Sequence, residues 1–134
     1  MPQAQSHLNG IRVLLVEDHQ DTQDAMRFIL EGKGAQVFTA GTAVEGMKVF
    51  LESHPDVLVC DLGLPGVDGY TLLRQIRALP GALGGQVGAV AVTAHAAELS
   101  TKVLHAGFQV HLAKPVEPED IVSAIAALAS RAKQ

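Results

Sequence analysis

Glu17 with Asp18, Asp61, Thr93 and Lys114 are the residues of this chain best equipped for chemistry. Each follows an apolar run: Ile11–Val16, Val57–Cys60, Val87–Val92 and Phe108–Ala113, the last leading into Lys114-Pro115. Three carboxylates, a hydroxyl and an ammonium can hold a hard divalent cation beside a phosphoryl group. Asp18 and Asp61 are the stronger metal candidates, since magnesium favours oxygen ligation from one or two carboxylates plus waters and phosphate oxygens. Asp61 can also act as a nucleophile and become an acyl phosphate. Thr93 and Lys114 would bond the remaining phosphoryl oxygens, Lys114 as a mobile point charge. Taken singly, each residue is bland: an acid after a strand is often a turn or cap residue. Their joint appearance at four strand ends points to a site.

Residues so far apart in the chain meet only if the fold brings the strand ends together. In an open parallel sheet covered by helices, ligands bind in the crevice outside the carboxyl ends of the strands. The pattern predicts such a sheet. Ile11–Val16 reads as a strand covered on both faces. Asp21–Lys33 is helical, with Ala25, Met26, Ile29 and Leu30 on one face and Gly34 at its C-terminal cap. Gln36–Ala40 is a second strand, and Thr42-Ala43-Val44-Glu45 matches a capping box opening a helix to about Ser53. Val57–Cys60 is the third strand; Asp68 to Ala78 is helical, with Tyr70, Leu72, Leu73 and Ile76 inward. Pro80–Gly85 reads as flexible and tolerant of insertion. Val87–Val92, a weaker helix over Ala96–His105 stopped by Gly107, the strand Phe108–Leu112, and a helix opened by Pro118 with Ile121, Ile125 and Leu128 on one stripe complete it. Five alternations of strand and helix imply right-handed crossovers and a doubly wound five-stranded α/β domain.

Composition narrows the function classes. The chain has 134 residues, enough for one domain, and with only 4 % aromatics its core must be built from Val, Leu, Ile and Ala. A net charge of -4 argues against direct contact with nucleic acid or an anionic membrane. One cysteine, Cys60, allows no intrachain disulfide and fits a reducing, cytoplasmic setting. Residues 1–10 lack a signal-peptide pattern and read as a flexible leader, 11–131 as the domain, and 132–134 as a tail. Cys60 reads as packing rather than a redox sensor. His7, His19, His54 and His105 lack metal-like spacing with one another and read as surface residues.

Together, Glu17-Asp18, the run Asp61-Leu62-Gly63-Leu64-Pro65-Gly66-Val67-Asp68-Gly69, Thr93-Ala94 and Lys114-Pro115 resemble the signature of two-component response-regulator receiver domains, over Ile11 to about Arg131. The resemblance implies a flavodoxin-like receiver fold of the chemotaxis-regulator type. It implies that Asp61 accepts phosphate from a histidine kinase or a histidine phosphotransfer domain. It implies that Glu17, Asp18, Asp61 and the backbone carbonyl of Gly63 hold Mg2+, that Thr93 and Lys114 read the phosphoryl group, and that the Lys114-Pro115 peptide is cis. One departure stands out. Receivers usually carry Tyr or Phe as a switch three residues before the Lys, and this chain has His111, which either moves inward beside Thr93 or is a half-exposed surface residue. Gly63 and His95 sit where the family tunes the lifetime of the phosphate, and Gly63 offers no side chain to orient a water.

Other function classes fit less well. A haloacid-dehalogenase-like phosphatase also forms an aspartyl phosphate, but places its nucleophile after the first strand in Asp-x-Asp spacing, where this chain has Glu17-Asp18-His19. A flavodoxin-type flavin module would want a Ser/Thr/Gly phosphate cradle in the first loop. A receiver that never takes phosphate is countered by Asp61, Thr93 and Lys114. The expected role is a signalling switch rather than an enzyme. Since the chain stops soon after its last helix, the expectation is a stand-alone regulator or the terminal receiver of a hybrid sensor kinase, which Gly107–Pro118 resembles.

Overall fold

A computed structural model describes residues 7–94 and 106–132. Five strands, β1 (Arg12–Val16), β2 (Gln36–Ala40), β3 (Val57–Asp61), β4 (Gly88–Thr93) and β5 (Val110–Ala113), form one parallel sheet in the order β2-β1-β3-β4-β5. The described helices are α1 (Gln20–Gly32), α2 (Ala43–Ser53), α3 (Gly69–Arg77) and α4 (Pro118–Ala132). The expected doubly wound five-stranded architecture is the one found. The expected helix over Ala96–His105 lies outside the described residues, as does His95.

Two apolar layers sandwich the sheet, because side chains alternate across a strand and both faces are covered. Leu14, Val16, Leu58, Cys60, Ala89 and Ala91 face α2 and α3, meeting Phe50, Leu72, Leu73 and Ile76. Val13, Leu15, Val57, Val59, Val90 and Val92 face α1 and α4, meeting Met26, Leu30, Ile121, Ile125 and Leu128. At α2 the expected Thr42 cap forms, accepting from the Glu45 amide, while the Glu45 carboxylate accepts from Gly41 N at 2.7 Å, one residue before the N-cap that a full capping box would use. At α3 the Asp68 side chain accepts from Thr71 N at 2.9 Å.

Several expectations need correction. Residues 7–10 are not a loose leader: Leu8 is fully buried, its amide donates to the Lys33 carbonyl, and Gly10 N reaches Gly34 O. A single buried leucine in a polar stretch leaves no periodicity to read. Asp61 and Thr93 close β3 and β4 rather than follow them, because ladder pairing continues through both residues. On α1 the inward stripe is Gln23, Met26 and Leu30, while Ala25 is exposed. Pro80–Gly85 is no open loop. It contains a 3-10 turn at Gly81–Leu83, and a Cβ on Gly85 would lie 2.0 Å from the Leu79 carbonyl oxygen. A longer side chain there would have to push the backbone apart.

Candidate functional site

Ladder register carries the chemistry-bearing residues to one rim. Val16 pairs with Cys60, Asp61 with Val92, and Thr93 with Ala113, so Glu17, Asp61, Thr93 and Lys114 all end at the carboxyl edge. Backbone bonds extend this alignment past the strands: Glu17 N donates to Ala40 O at 3.0 Å, and Lys114 N to Thr93 O at 2.9 Å. Strand order reverses between β1 and β3, which places Glu17 and Asp61 on either side of the switch point where such sheets bind ligands. At this edge the backbone of α3 comes close. A Cβ on Gly69 would sit 2.7 Å from the Asp61 carbonyl oxygen, so only glycine admits the approach.

One cation holds the centre. Lys114 Nζ lies 3.0 Å from Glu17 Oε1 and 3.0 Å from Asp61 Oδ2. Burial alone would lower the Lys114 pKa, but hydrogen bonds and charge from Asp61 and Glu17 outweigh it and raise it above the ordinary lysine value. The remaining oxygens are aimed by backbone donors: Gly63 N to Asp61 Oδ1 at 2.9 Å, and His19 N to Glu17 Oε2 at 3.1 Å. Glu17, Asp61 and Thr93 are buried, whereas Asp18 is exposed. Glu17, Asp18 and His19 each turn a ligand-type atom to within 4.8 Å of the others. Adjacent acids that would point apart in a strand therefore converge in the loop.

The rim thus carries more negative than positive charge. Three carboxylates surround a site in which Lys114 contacts two of them. An arrangement of this kind suits a divalent cation, which would offset the repulsion. It also suits addition of a group whose oxygens a released lysine could follow.

The Lys114-Pro115 peptide is cis. His111 pairs in register with Ala91, which puts it on the sheet face that also carries Thr93. It is half-buried, and its Nε2 is buried without a hydrogen-bond partner among the described residues. Cys60 is fully buried; desolvation first, then the charges of Asp61, Glu17 and Asp68, push its thiol far up, so it stays protonated and unreactive.

Sequence reasoning missed two residues here. His19, 75 % exposed in its side chain, turns Nδ1 to 3.6 Å from Glu17 Oε2 and 3.8 Å from Asp18 Oδ1. Its signal was its position beside the acidic pair rather than its spacing from other histidines. Gln23 stands buried on the inward stripe of α1 and donates to the Glu17 carbonyl at 3.0 Å. An amide at an apolar position of the stripe was the available signal.

A groove of about 530 Å³ adjoins the site, lined by Thr22, Ala25, Met26 and Ile29 of α1 and by Lys114, Pro115 and Val116 before α4. Ala25 and Ile29, which sequence periodicity assigned to the core, form part of its wall. No described helix is long and apolar enough to cross a membrane.

Comparison with known proteins agrees with this geometry. The family model for the response regulator receiver domain matches residues 13–126. An uncharacterized 14.6 kDa protein from Leptolyngbya boryana is 38 % identical over 111 residues, covering 82 % of this chain and 83 % of that one. Sensor histidine kinase RcsC of Escherichia coli is 30 % identical over 132 residues, covering 98 % of this chain and 14 % of the kinase. The receiver domain of sensor histidine kinase PA1611 from Pseudomonas aeruginosa, solved with magnesium coordinated in its active-site cleft, superposes with a TM-score of 0.82 at 28 % identity, covering 90 % and 98 % of the two chains. Other curated relatives are also longer, the chain spanning 52 % of one and 13 % of another. The haloacid-dehalogenase-like alternative finds no support in these matches. With a family match over most of its length and a fold to correspond, this chain belongs to the response regulator receiver domains, the signalling modules of two-component systems.

Proposed function

We propose that Asp61 is the phosphoacceptor, and that the domain is a magnesium-dependent switch receiving phosphate from a histidine kinase or a histidine phosphotransfer domain. The observation that carries this is the placement of Lys114 Nζ 3.0 Å from both Glu17 and Asp61, three strand ends apart in sequence and one site in space. An Asp61 carboxylate oxygen would attack the phosphorus of a phosphohistidine. The new P–O bond forms as the P–N bond breaks, and the leaving imidazole keeps the electron pair. Lys114, already on the Asp61 carboxylate, is placed to follow charge onto the phosphoryl oxygens, and Thr93 closes the same rim from β4.

The donor set fits magnesium. Glu17, Asp18 and Asp61 offer carboxylate oxygens, and the Gly63 backbone carbonyl is a further hard donor in the same loop as Asp61. When bound, the ion would neutralise charge developing on the transferred group. The apolar groove beside Lys114 is the surface we assign to the phosphohistidine-bearing helix of the partner, since it opens directly onto the site. The buried free thiol supports a cytoplasmic setting. Gly63, lacking a side chain to orient water, supports a switch rather than an enzyme turning over its own phosphate.

His111 is the proposed switch residue with Thr93. Its Nε2, buried on the Thr93 face and without a partner among the described residues, supports an inward role over a surface one. The test of the whole reading is labelling with acetyl phosphate, read by intact mass with and without magnesium. One phosphate should be added, only with magnesium, and Asp61→Asn should remove it. Labelling that persists in Asp61→Asn would overturn the assignment.

A further inference from the structure

The inward stripe of α1 contains a polar residue that the chemistry described so far does not use. Gln23, Met26 and Leu30 are the buried residues of this helix, at i, i+3 and i+7. Two of them are apolar, as a core-facing stripe requires. Gln23 is 9 % exposed, and burying an amide is unfavourable unless each polar atom finds a partner. Gln23 finds them. Its Nε2 donates to the Glu17 carbonyl at 3.0 Å and to the Ala40 carbonyl at 3.4 Å. Its Oε1 accepts from Gln20 Nε2 at 3.3 Å.

The Glu17 carbonyl is the first acceptor of β1 beyond the ladder, where sheet pairing no longer supplies a donor. It also belongs to the peptide group joining Glu17 to Asp18. On its other side, Glu17 N donates to Ala40 O at 3.0 Å, the same carbonyl that Gln23 reaches. Gln23 and Ala40 therefore clamp Glu17 from both backbone ends. With that peptide plane held, the direction in which the chain leaves for Asp18 is set. The two acids, adjacent in sequence, then turn their carboxylates toward one point instead of opposite sides.

We propose that Gln23 is a positioning residue for the acidic pair: by fixing the Glu17–Asp18 peptide it sets the affinity of the site for a divalent cation. This rests on reading Glu17, Asp18 and Asp61 as the cation site. Partners that orient metal ligands without touching the metal commonly change affinity by about 10-fold or more when removed.

The test uses the full chain and two variants, Gln23→Leu and Gln23→Met, each of which fills the stripe while removing the donor. Mn2+ binding is followed by the loss of the free-ion paramagnetic signal. The magnesium dependence of acetyl phosphate labelling is followed by intact mass. The expected result is a half-saturating metal concentration raised about 10-fold, with labelling at saturating magnesium equal to the parent's. Leu30→Val, on the same stripe, controls for stability: it should lower the thermal midpoint and leave half-saturation in place. Half-saturation in the folded Gln23 variants equal to the parent's would overturn the proposal, as would a fall in maximal labelling with affinity unchanged. Either result makes Gln23 a core amide and no more. Should one variant not fold, the other still decides. If the parent chain itself neither binds Mn2+ nor depends on magnesium for labelling, the failure is that of the cation site and is seen before any variant is made.

Discussion

The two rims of the sheet use the same kinds of side chain to opposite ends. At the amino rim Arg12, Asp56 and Arg77 are spent mainly on backbone. Arg12 donates from Nε to the Ser53 carbonyl at 2.9 Å and again from Nη2, touches Gln36 Oε1, and lies 5.0 Å over the Phe38 ring. Asp56 accepts from Arg12 N at 2.8 Å while its own amide donates back to Arg12 O. Arg77 donates to the Gly85 and Gly107 carbonyls, tying the turn before β4 to the turn before β5. At the carboxyl rim the groups face one another instead. Glu17 and Asp61 share Lys114 as their cation, Asp18 turns its carboxylate toward Glu17 beside them, and negative charge is left over. Where charges satisfy backbone they stabilise; where they are left facing a cleft they are available for a ligand.

This comparison can be broken by exchanging the expected effects. The largest expected effect is Asp61→Asn, which should abolish labelling by acetyl phosphate while leaving the thermal midpoint close to the parent's. Arg77→Ala should do the reverse. Loss of charged donors to two loop carbonyls should destabilise by about 2–3 kcal/mol, read as a lower midpoint in denaturant, with magnesium-dependent labelling intact below the transition. If Arg77→Ala loses labelling while folded, the separation of the two rims fails.

Lys114 sharpens the picture because it serves both ends. Its pKa is raised in the folded state, so its contribution is fully present below the ordinary lysine value of 10.5 and is lost as pH rises through the higher folded value. Lys114→Met should therefore be less stable than the parent at pH 7, by about 2 kcal/mol once partial exposure is allowed for. That gap should close above about pH 10.5. A gap that persists unchanged to pH 12 would mean that packing of the lysine stem, not its charge, is what the site uses.

Smaller effects follow. Asp18→Asn should weaken magnesium binding yet raise the midpoint in metal-free buffer, by less than about 1 kcal/mol, because one of the mutually repelling charges is gone. A clear loss of stability there would show that repulsion at this rim is already relieved. The smallest effect is spectroscopic. The His111 ring signals should shift when beryllofluoride, a phosphoryl mimic, is added with magnesium. Unchanged signals would leave His111 a surface residue, and the switch would then have to reside in Thr93.

Much of this protein is legible because its signals are local. A strand buried on both faces is an apolar run in any sequence, and a polar residue at the end of such a run is visible without knowing what it meets. That made Glu17, Asp18, Asp61, Thr93 and Lys114 recoverable, along with the sheet that gathers them. Gln23 and Arg77 were not recoverable in their roles. Their partners, Glu17 O and Gly107 O, are backbone atoms brought near by the fold, and a carbonyl leaves no mark on the sequence. Leu8 and Gly85 were misread for a related reason. A lone buried leucine has no period, and a glycine required by close approach looks the same as one that confers flexibility.

From the sequence alone come the alternation of strand and helix, the two-sided burial of the sheet, and the identity of the groups at its carboxyl ends, since these follow from side-chain type and spacing. Only the tertiary structure decided which groups touch. It placed one ammonium between two carboxylates, turned two adjacent acids toward one point, and left the His111 Nε2 buried without a partner among the described residues. The reason is that hydrophobic burial is non-directional and selects the fold, whereas hydrogen bonds and ion pairs are directional and are settled by register, loop path and the backbone atoms that the fold delivers.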